Sequence, residues 1–194
     1  MIAIIDYGNL GSLARAFARI GAQAVVTRDP AVVDAAHAVV LPGDGAFHDA
    51  MATLTTLGLL PALRRALANR PFLGICLGYQ LLFSGSEEFG EGPGLDVIPG
   101  VTRRLPGRVP HMGWNTVEHG GRLRVFEGIP DGERFYFAHS YSPDPTGLPT
   151  AWCEYGGRFA AAIEYGRIVA TQFHPEKSHR WGHRLLENFV QEAA

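Results

Sequence analysis

The chain has 194 residues, 46% of them hydrophobic and 19% charged, with a formal net charge of -2. That length and composition suit one generous globular domain and argue against disorder. The near-neutral charge leaves no electrostatic footprint for nucleic acid or anionic membrane. No apolar run nears the roughly 20 residues that span a bilayer. The first residues, MIAIIDYG, run straight into a strand-like pattern with no basic leader. Two cysteines, Cys76 and Cys153, are too few for a disulfide framework and lack metal spacing. A cytoplasmic, single-domain protein over residues 1–194 is the expectation.

In chain order, Ile2–Asp6 reads as a buried strand and Ser12–Ile20 as a helix ended by Gly21. Strands follow at Gln23–Thr27, Ala38–Leu41 and Phe72–Ile75, with a helix around Leu59–Asn69 that tolerates Pro61 in its first turn. Continuous apolar strands separated by helices indicate a parallel sheet covered on both faces. Residues 85–100 are rich in Gly and Pro and read as a loop between two halves. Beyond it, short strand candidates at Arg134–Ala138, Ala151–Tyr155, Phe159–Glu164 and Ile168–Thr171 suit antiparallel additions to the sheet. A helix over roughly Trp181–Glu192 follows. The fold class is therefore α/β, with an open mixed, mainly parallel sheet flanked by helices.

The most informative segment is Pro71-Phe-Leu-Gly-Ile-Cys-Leu-Gly-Tyr-Gln80. A β-rich run enters Gly74-x-Cys76-x-Gly78, and Tyr79–Phe83 continues as a helical run. A nucleophile on a sharp strand-to-helix turn needs such small neighbours, as in the G-x-S-x-G elbow. A thiol there meets the N–H groups and dipole of a helix N-terminus, which favour thiolate. The Leu77 N–H is placed to donate to an oxyanion. Taken alone, the pattern also fits a small buried hydrophobe, the commonest fate of a free cysteine. Cys153, in AWCEYGG, has no such context and reads as structural.

A cysteine hydrolase needs a base and a group that orients it. Among eight histidines, His174 follows an apolar strand directly, Pro175 stops that strand, and Glu176 lies two residues on. His139 ends another strand and is a plausible wall of the site. His179 and His183 stand at i,i+4 without a third ligand and read as a solvated helix face. His37, His48 and His119 show no supporting pattern. The spacing predicts neither a metal nor a cofactor.

With these residues placed, the sequence resembles the class I glutamine amidotransferases, whose architecture is flavodoxin-like. Gly74-Ile-Cys76-Leu-Gly78-Tyr-Gln80 matches that family's elbow, and His174-Pro175-Glu176 its distant H-P-E. Pro110-His-Met-Gly-Trp-Asn115, Phe135-Tyr-Phe-Ala-His-Ser-Tyr141 and Gln172-Phe-His-Pro-Glu-Lys-Ser178 are similar to one branch, the glutaminase subunits of imidazole glycerol phosphate synthases. The resemblance runs from Ile2 to the last helix. It implies hydrolysis of L-glutamine by Cys76 as nucleophile, His174 as base and Glu176 as orienter. It further implies an oxyanion segment at Gly43 and Asp44 with Leu77. Glutamine contacts fall at Gly45, Gln80, Glu88, Ser140 and Tyr141. The implied partner is a (β/α)₈-barrel cyclase subunit, which receives ammonia directly in histidine biosynthesis. Met112, Trp114, Asn115, Tyr136 and Lys177 match positions at that heterodimer interface, although Trp114 also fits a core aromatic and Lys177 a surface charge. A stand-alone cysteine amidohydrolase, or the amidotransferase subunit of another synthase such as anthranilate synthase, remains an alternative.

Two departures stand out. The family's first loop reads D-Y-G-x-G-N-L, whereas Asp6-Tyr-Gly-Asn-Leu10 is two residues shorter. Asp44 occupies a place usually taken by a small apolar residue. A carboxylate turned inward would oppose a developing oxyanion, so Asp44 is expected to face solvent or the partner.

Overall fold

A computed structural model describes residues 1–8, 10–144 and 147–193. Asn9, in the shortened first loop, lies outside the described residues. The elements run β1 (Ile2–Ile5), α1 (Gly11–Arg19), β2 (Ala24–Thr27), α2 (Pro30–Ala35), β3 (Ala38–Leu41), α3 (Phe47–Thr56) and α4 (Leu60–Asn69). They continue as β4 (Phe72–Ile75), α5 (Leu77–Gln80), β5 (Phe83–Ser86), β6 (Gly92–Pro93), β7 (Ile98–Arg104) and β8 (His111–Val117). The remainder is β9 (Glu133–His139), β10 (Tyr141–Pro143), β11 (Thr150–Glu154), β12 (Arg158–Tyr165), β13 (Ile168–Thr171) and α6 (His179–Glu192).

The main sheet has seven strands in the order β11-β12-β13-β4-β3-β1-β2. From β13 to β2 all neighbours are parallel, while β12 and β11 extend the sheet by antiparallel pairing. The apolar runs β1, β3, β4 and β13 are buried throughout, as strands covered on both faces must be. Alternation divides each strand between two cores. Ile2 and Ile4 pack with Leu13, Phe17 and Phe189 from α1 and α6, while Ala3 and Ile5 pack with Val33, Leu54 and Leu63 from α2, α3 and α4. Each large aliphatic side chain so buried contributes about 1.5–3 kcal/mol.

Three expectations need correction. The Gly- and Pro-rich stretch 85–100 is not merely a loop, for β5, β6 and the start of β7 lie within a second sheet, ordered β10-β7-β5-β6. A Cβ added to Gly85 would stand 2.7 Å from the Gly92 carbonyl oxygen, so these glycines allow close strand approach. The helix after Cys76 ends at Gln80, not Phe83, because Phe83 opens β5. Finally, β9 joins β8 in a two-stranded ribbon instead of adding to the main sheet. Among the described residues, no helix is long and apolar enough to cross a membrane.

Candidate active site

The central strand β4 delivers Cys76. Its N–H donates to the Thr171 carbonyl at 2.7 Å, the last sheet bond before the chain turns. Cys76 then adopts φ 53° and ψ -107°, a conformation that L residues rarely hold. Such strain persists only where the surroundings enforce it. Here the enforcement comes from two glycines. A Cβ on Gly74 would meet the Gly78 oxygen at 2.9 Å, and one on Gly78 would meet the Leu41 oxygen at 1.8 Å. The following helix α5 has four residues. The thiol therefore feels a few first-turn N–H groups and not the macrodipole of a long helix.

His174 arrives from the other side of β4. Beyond β13 the chain passes Gln172 and Phe173, and the His174 N–H donates to Tyr136 on β9 at 2.9 Å. The Ser178 hydroxyl donates to the His174 carbonyl at 2.6 Å and accepts from the Tyr136 N–H at 3.0 Å, clamping the turn to β9. A 3-10 turn over Pro175–Lys177 brings Glu176 back, and the His174 Nδ1 meets Glu176 Oε1 at 2.9 Å. Cys76 lines the same cavity as this imidazole and is the strongest of the influences that raise it. The thiol is 6% exposed and His174 8%, so the group is largely shielded from water.

Burial opposes charge on His174, but the electrostatic and hydrogen-bonding influence of Cys76, then that of Glu176, outweighs it. Together they push the imidazolium up to about 10. The folded value lies above the ordinary 6.5, so the folded protein retains a proton that the unfolded chain releases. That stabilisation is complete below pH about 6.5 and drains away as pH rises toward about 10. Urea midpoints should therefore fall across that window in the wild type. In Cys76→Ser, which removes the largest upward causes, this part of the decline should shrink. An equal decline in both proteins would show that Cys76 does not raise His174.

A cavity of about 490 Å³ opens over the thiol. Cys76, His174, Glu176, Gly43, Asp44, Gly45, Leu77, Gln80, Glu88, Ser140 and Tyr141 all line it, so the structure brings every proposed catalytic and glutamine-binding residue together. His139 lines it as well, as its strand-end position suggested. Gly43 packs on the elbow, since a Cβ there would lie 3.0 Å from the Leu77 Cβ. Asp44 is exposed at the rim, with its carboxylate toward Gly8, where a Cβ would lie 3.0 Å from Oδ1. It also faces Tyr7, whose phenol is pushed up by burial and then by Asp49 and Asp44. One Glu88 oxygen accepts the Phe47 N–H at 2.8 Å, so this residue also closes the N-terminus of α3.

The five proposed docking residues divide. Met112 and Lys177 border the cavity, and Met112 is 66% exposed. Trp114 lies directly opposite Tyr136 in the β8–β9 register, stacks on His179 at 4.8 Å and is exposed, not core. The Lys177 ammonium lies 5.9 Å over the Tyr136 ring. Asn115 instead turns inward, its amide donating to Glu154 O at 2.9 Å and reaching the His111 ring at 3.3 Å. Sequence reasoning missed Gln172, Ser178 and Phe89. Gln172 and Ser178 were visible in the Gln172–Ser178 segment without an assigned task. Phe89, 85% exposed on the cavity rim, carried no signal beyond an apolar residue in a polar stretch.

Cys153 sits in β11, where burial chiefly pushes its thiol up to about 12, which makes it unreactive. Among the described residues, no three His, Cys, Asp or Glu side chains converge as metal ligands.

A doubly covered α/β sheet with a strained cysteine at the carboxyl end of its central strand, facing a histidine–carboxylate pair, agrees with what sequence comparison shows. The family described as glutamine amidotransferase class-I matches residues 3–193, and the chain belongs to it. Within that family, curated relatives include HisH subunits of imidazole glycerol phosphate synthase. The subunit from Syntrophotalea carbinolica is 49% identical over 97% of this chain and 98% of its own length. That from Moorella thermoacetica is 52% identical over 97% and 93%. Among solved structures, a glutamine amidotransferase from Thermotoga maritima superposes with a TM-score of 0.65 at 21% identity. The match covers 98% of this chain and 82% of that one, a likeness of fold alone.

Proposed function

We propose that this chain is the glutaminase subunit of imidazole glycerol phosphate synthase, hydrolysing L-glutamine through a Cys76 thioester. The observation that carries the reading is the positive-φ Cys76 on one cavity with a His174 that Glu176 holds through Nδ1 and that Cys76 helps to raise. The thiolate attacks the side-chain amide carbon of glutamine. The tetrahedral oxyanion faces the Leu77 N–H and the Gly43–Asp44 segment, where pre-set N–H donors are worth most. His174, already cationic, gives its proton to the departing nitrogen, and ammonia leaves. The neutral ring then takes a proton from water, whose oxygen cleaves the thioester to release glutamate. Glu176 keeps the ring in one orientation through both halves. Gly45, Gln80, Glu88, Ser140 and Tyr141 hold the amino-acid end of the substrate.

Ammonia released into water is mostly protonated and no longer nucleophilic, so direct transfer to a second active site is the useful outcome. The relatives are named as subunits of a synthase, which supports a partner. We take it to be a (β/α)₈-barrel cyclase docked over Met112, Trp114, Tyr136 and Lys177, in a cytoplasmic heterodimer of histidine biosynthesis. Within this chain no P-loop and no G-x-G-x-x-G fingerprint offers a phosphate site of its own. The test is glutamate release by the purified chain alone, then with the cyclase and its nucleotide ligand. A slow free chain accelerated strongly in the complex is expected. Equally brisk turnover in both would establish an independent amidohydrolase.

A further inference from the structure

Behind the cavity, a line of buried polar groups connects the inward face of β8 with the nucleophile. His111 and His139 are directly opposite in the β8–β9 register, and their rings meet through His111 Nδ1 and His139 Nε2 at 3.1 Å. Both are buried. The far nitrogen of His139, Nδ1, lies 2.8 Å from the Tyr141 carbonyl oxygen. That oxygen also accepts from the Gln80 amide at 2.8 Å. The same Gln80 nitrogen donates to Gln172 Oε1 at 3.1 Å, and Gln172 Nε2 points at the Cys76 sulfur at 3.8 Å. At the other end, the Asn115 amide nitrogen reaches His111 Nε2 at 3.3 Å.

Only one assignment of protons satisfies every contact. A carbonyl oxygen can only accept, so His139 must carry its proton on Nδ1. Its Nε2 is then an acceptor, which requires a proton on His111 Nδ1. The His111 Nε2 becomes an acceptor in turn and receives the Asn115 N–H. On the other branch, both Gln80 N–H bonds are used, one on Tyr141 and one on Gln172. That orients the Gln172 amide with its N–H toward sulfur and its oxygen away. Within each branch one donor–acceptor choice fixes the next, and the two branches share the Tyr141 carbonyl, which accepts from both.

We infer that Asn115, His111, His139, Gln80 and Gln172 form one hydrogen-bond network of two branches that converge on the Tyr141 carbonyl, and that this network holds a Gln172 N–H on the Cys76 sulfur. Gln172 is thereby a catalytic residue that stabilises the thiolate, and His111 and His139 are positioning residues acting through it. Burial keeps both rings neutral, with His139 held down to about 3 and His111 to about 4. A neutral His139 leaves His174 as the sole imidazolium beside the thiolate. The network begins on β8, whose opposite face carries Met112 and Trp114, so a shift of that ribbon would be felt at the sulfur.

The functional consequence rests on Cys76 being the nucleophile, whereas the tests of the network do not. The first is ¹⁵N NMR of the imidazole nitrogens in the unsubstituted protein at pH 7. Both His111 and His139 should show the Nδ1–H tautomer, the less favoured form in water. An Nε2–H form at either ring would overturn the network. The second is the rate at which a neutral alkylating reagent modifies Cys76 at pH 7. Gln172→Met should slow it about tenfold, consistent with loss of one hydrogen bond to a charged atom. His111→Phe, which keeps the ring stacking on Phe137 and Tyr155, should slow it about threefold or more. The double variant should be as slow as Gln172→Met and no slower, because the two act on one path. Losses that multiply would show independent effects and overturn the network, as would a fast thiol indifferent to both changes. A wild-type thiol no faster than an ordinary free cysteine would sink the nucleophile itself. If either variant fails to fold, the NMR result decides alone.

Discussion

Cys76→Ser should lower glutaminase turnover at least about 10⁴-fold in the assembled enzyme while leaving glutamine binding near its wild-type strength. The hydroxyl occupies nearly the same volume, so the cavity and its contacts survive. What is lost is the sulfur nucleophile. In the wild type, Cys76 is the strongest of the influences that raise His174. A serine hydroxyl is far too weak an acid to fill that role without a strong base, and removing the nucleophile of such a set is commonly worth four to six orders of magnitude. Glutamate release and calorimetric glutamine titration, run side by side, check both halves. A variant within tenfold of the wild type would remove Cys76 from the chemistry. One that no longer binds glutamine would leave the cause of its inactivity in the pocket.

Gly78→Ala should cost more stability than any conservative substitution elsewhere on the elbow, at least about 4 kcal/mol. The added Cβ would lie 1.8 Å from the Leu41 carbonyl oxygen, at the carboxyl end of β3 beside the central strand. Both backbones are buried and neither is the end of a flexible side chain, so relief requires moving the sheet or the elbow. Ordinary overpacking costs about 1–3 kcal/mol, and values beyond about 4 accompany clashes of this kind. Domains hold only about 5–15 kcal/mol in total, so the variant is expected to be poorly soluble or largely unfolded. Gly21→Ala is the control. Its φ is positive, at 73°, unlike that of Gly78, but nothing lies within 4 Å of the added carbon, so only about 1–2 kcal/mol of backbone strain is expected. Urea unfolding of the pair separates steric clash from conformational strain. Equal losses at the two positions would contradict the packing argument.

The elbow was legible because its constraint is local. Gly74, Cys76 and Gly78 lie within five residues, and their spacing reports a backbone that admits no Cβ. The strands β3, β4 and β13 were legible as four-residue apolar runs for the same reason. The helix α2 was missed although its signal is local too. Asp29 accepts the Ala31 N–H at 2.8 Å and Pro30 opens the helix, a cap-and-proline start that is readable in sequence. The helix α3 gave no such cue. It lacks a side-chain cap, and Glu88, 41 residues away, accepts its Phe47 N–H. That closure exists only after folding.

Asn115 teaches a different point. In sequence it falls with Met112 and Trp114 in one docking segment, yet residues 114 and 115 of a strand point to opposite faces. The burial pattern of β8 alternates accordingly, with Met112, Trp114 and Thr116 outward and His111 and Val117 inward. Treating the segment as a strand would have separated the docking side chains from the buried ones. The His111–His139 contact, by contrast, depends on the register of β8 against β9, which neither strand's own pattern sets.

The most direct measurement is rapid acid quench of the enzyme turning over glutamine, followed by peptide mass mapping. A glutamyl thioester is expected on the peptide carrying Cys76, appearing within the first turnover and absent in Cys76→Ser. Glutamate produced steadily with no adduct, or with the adduct on Cys153, would contradict it.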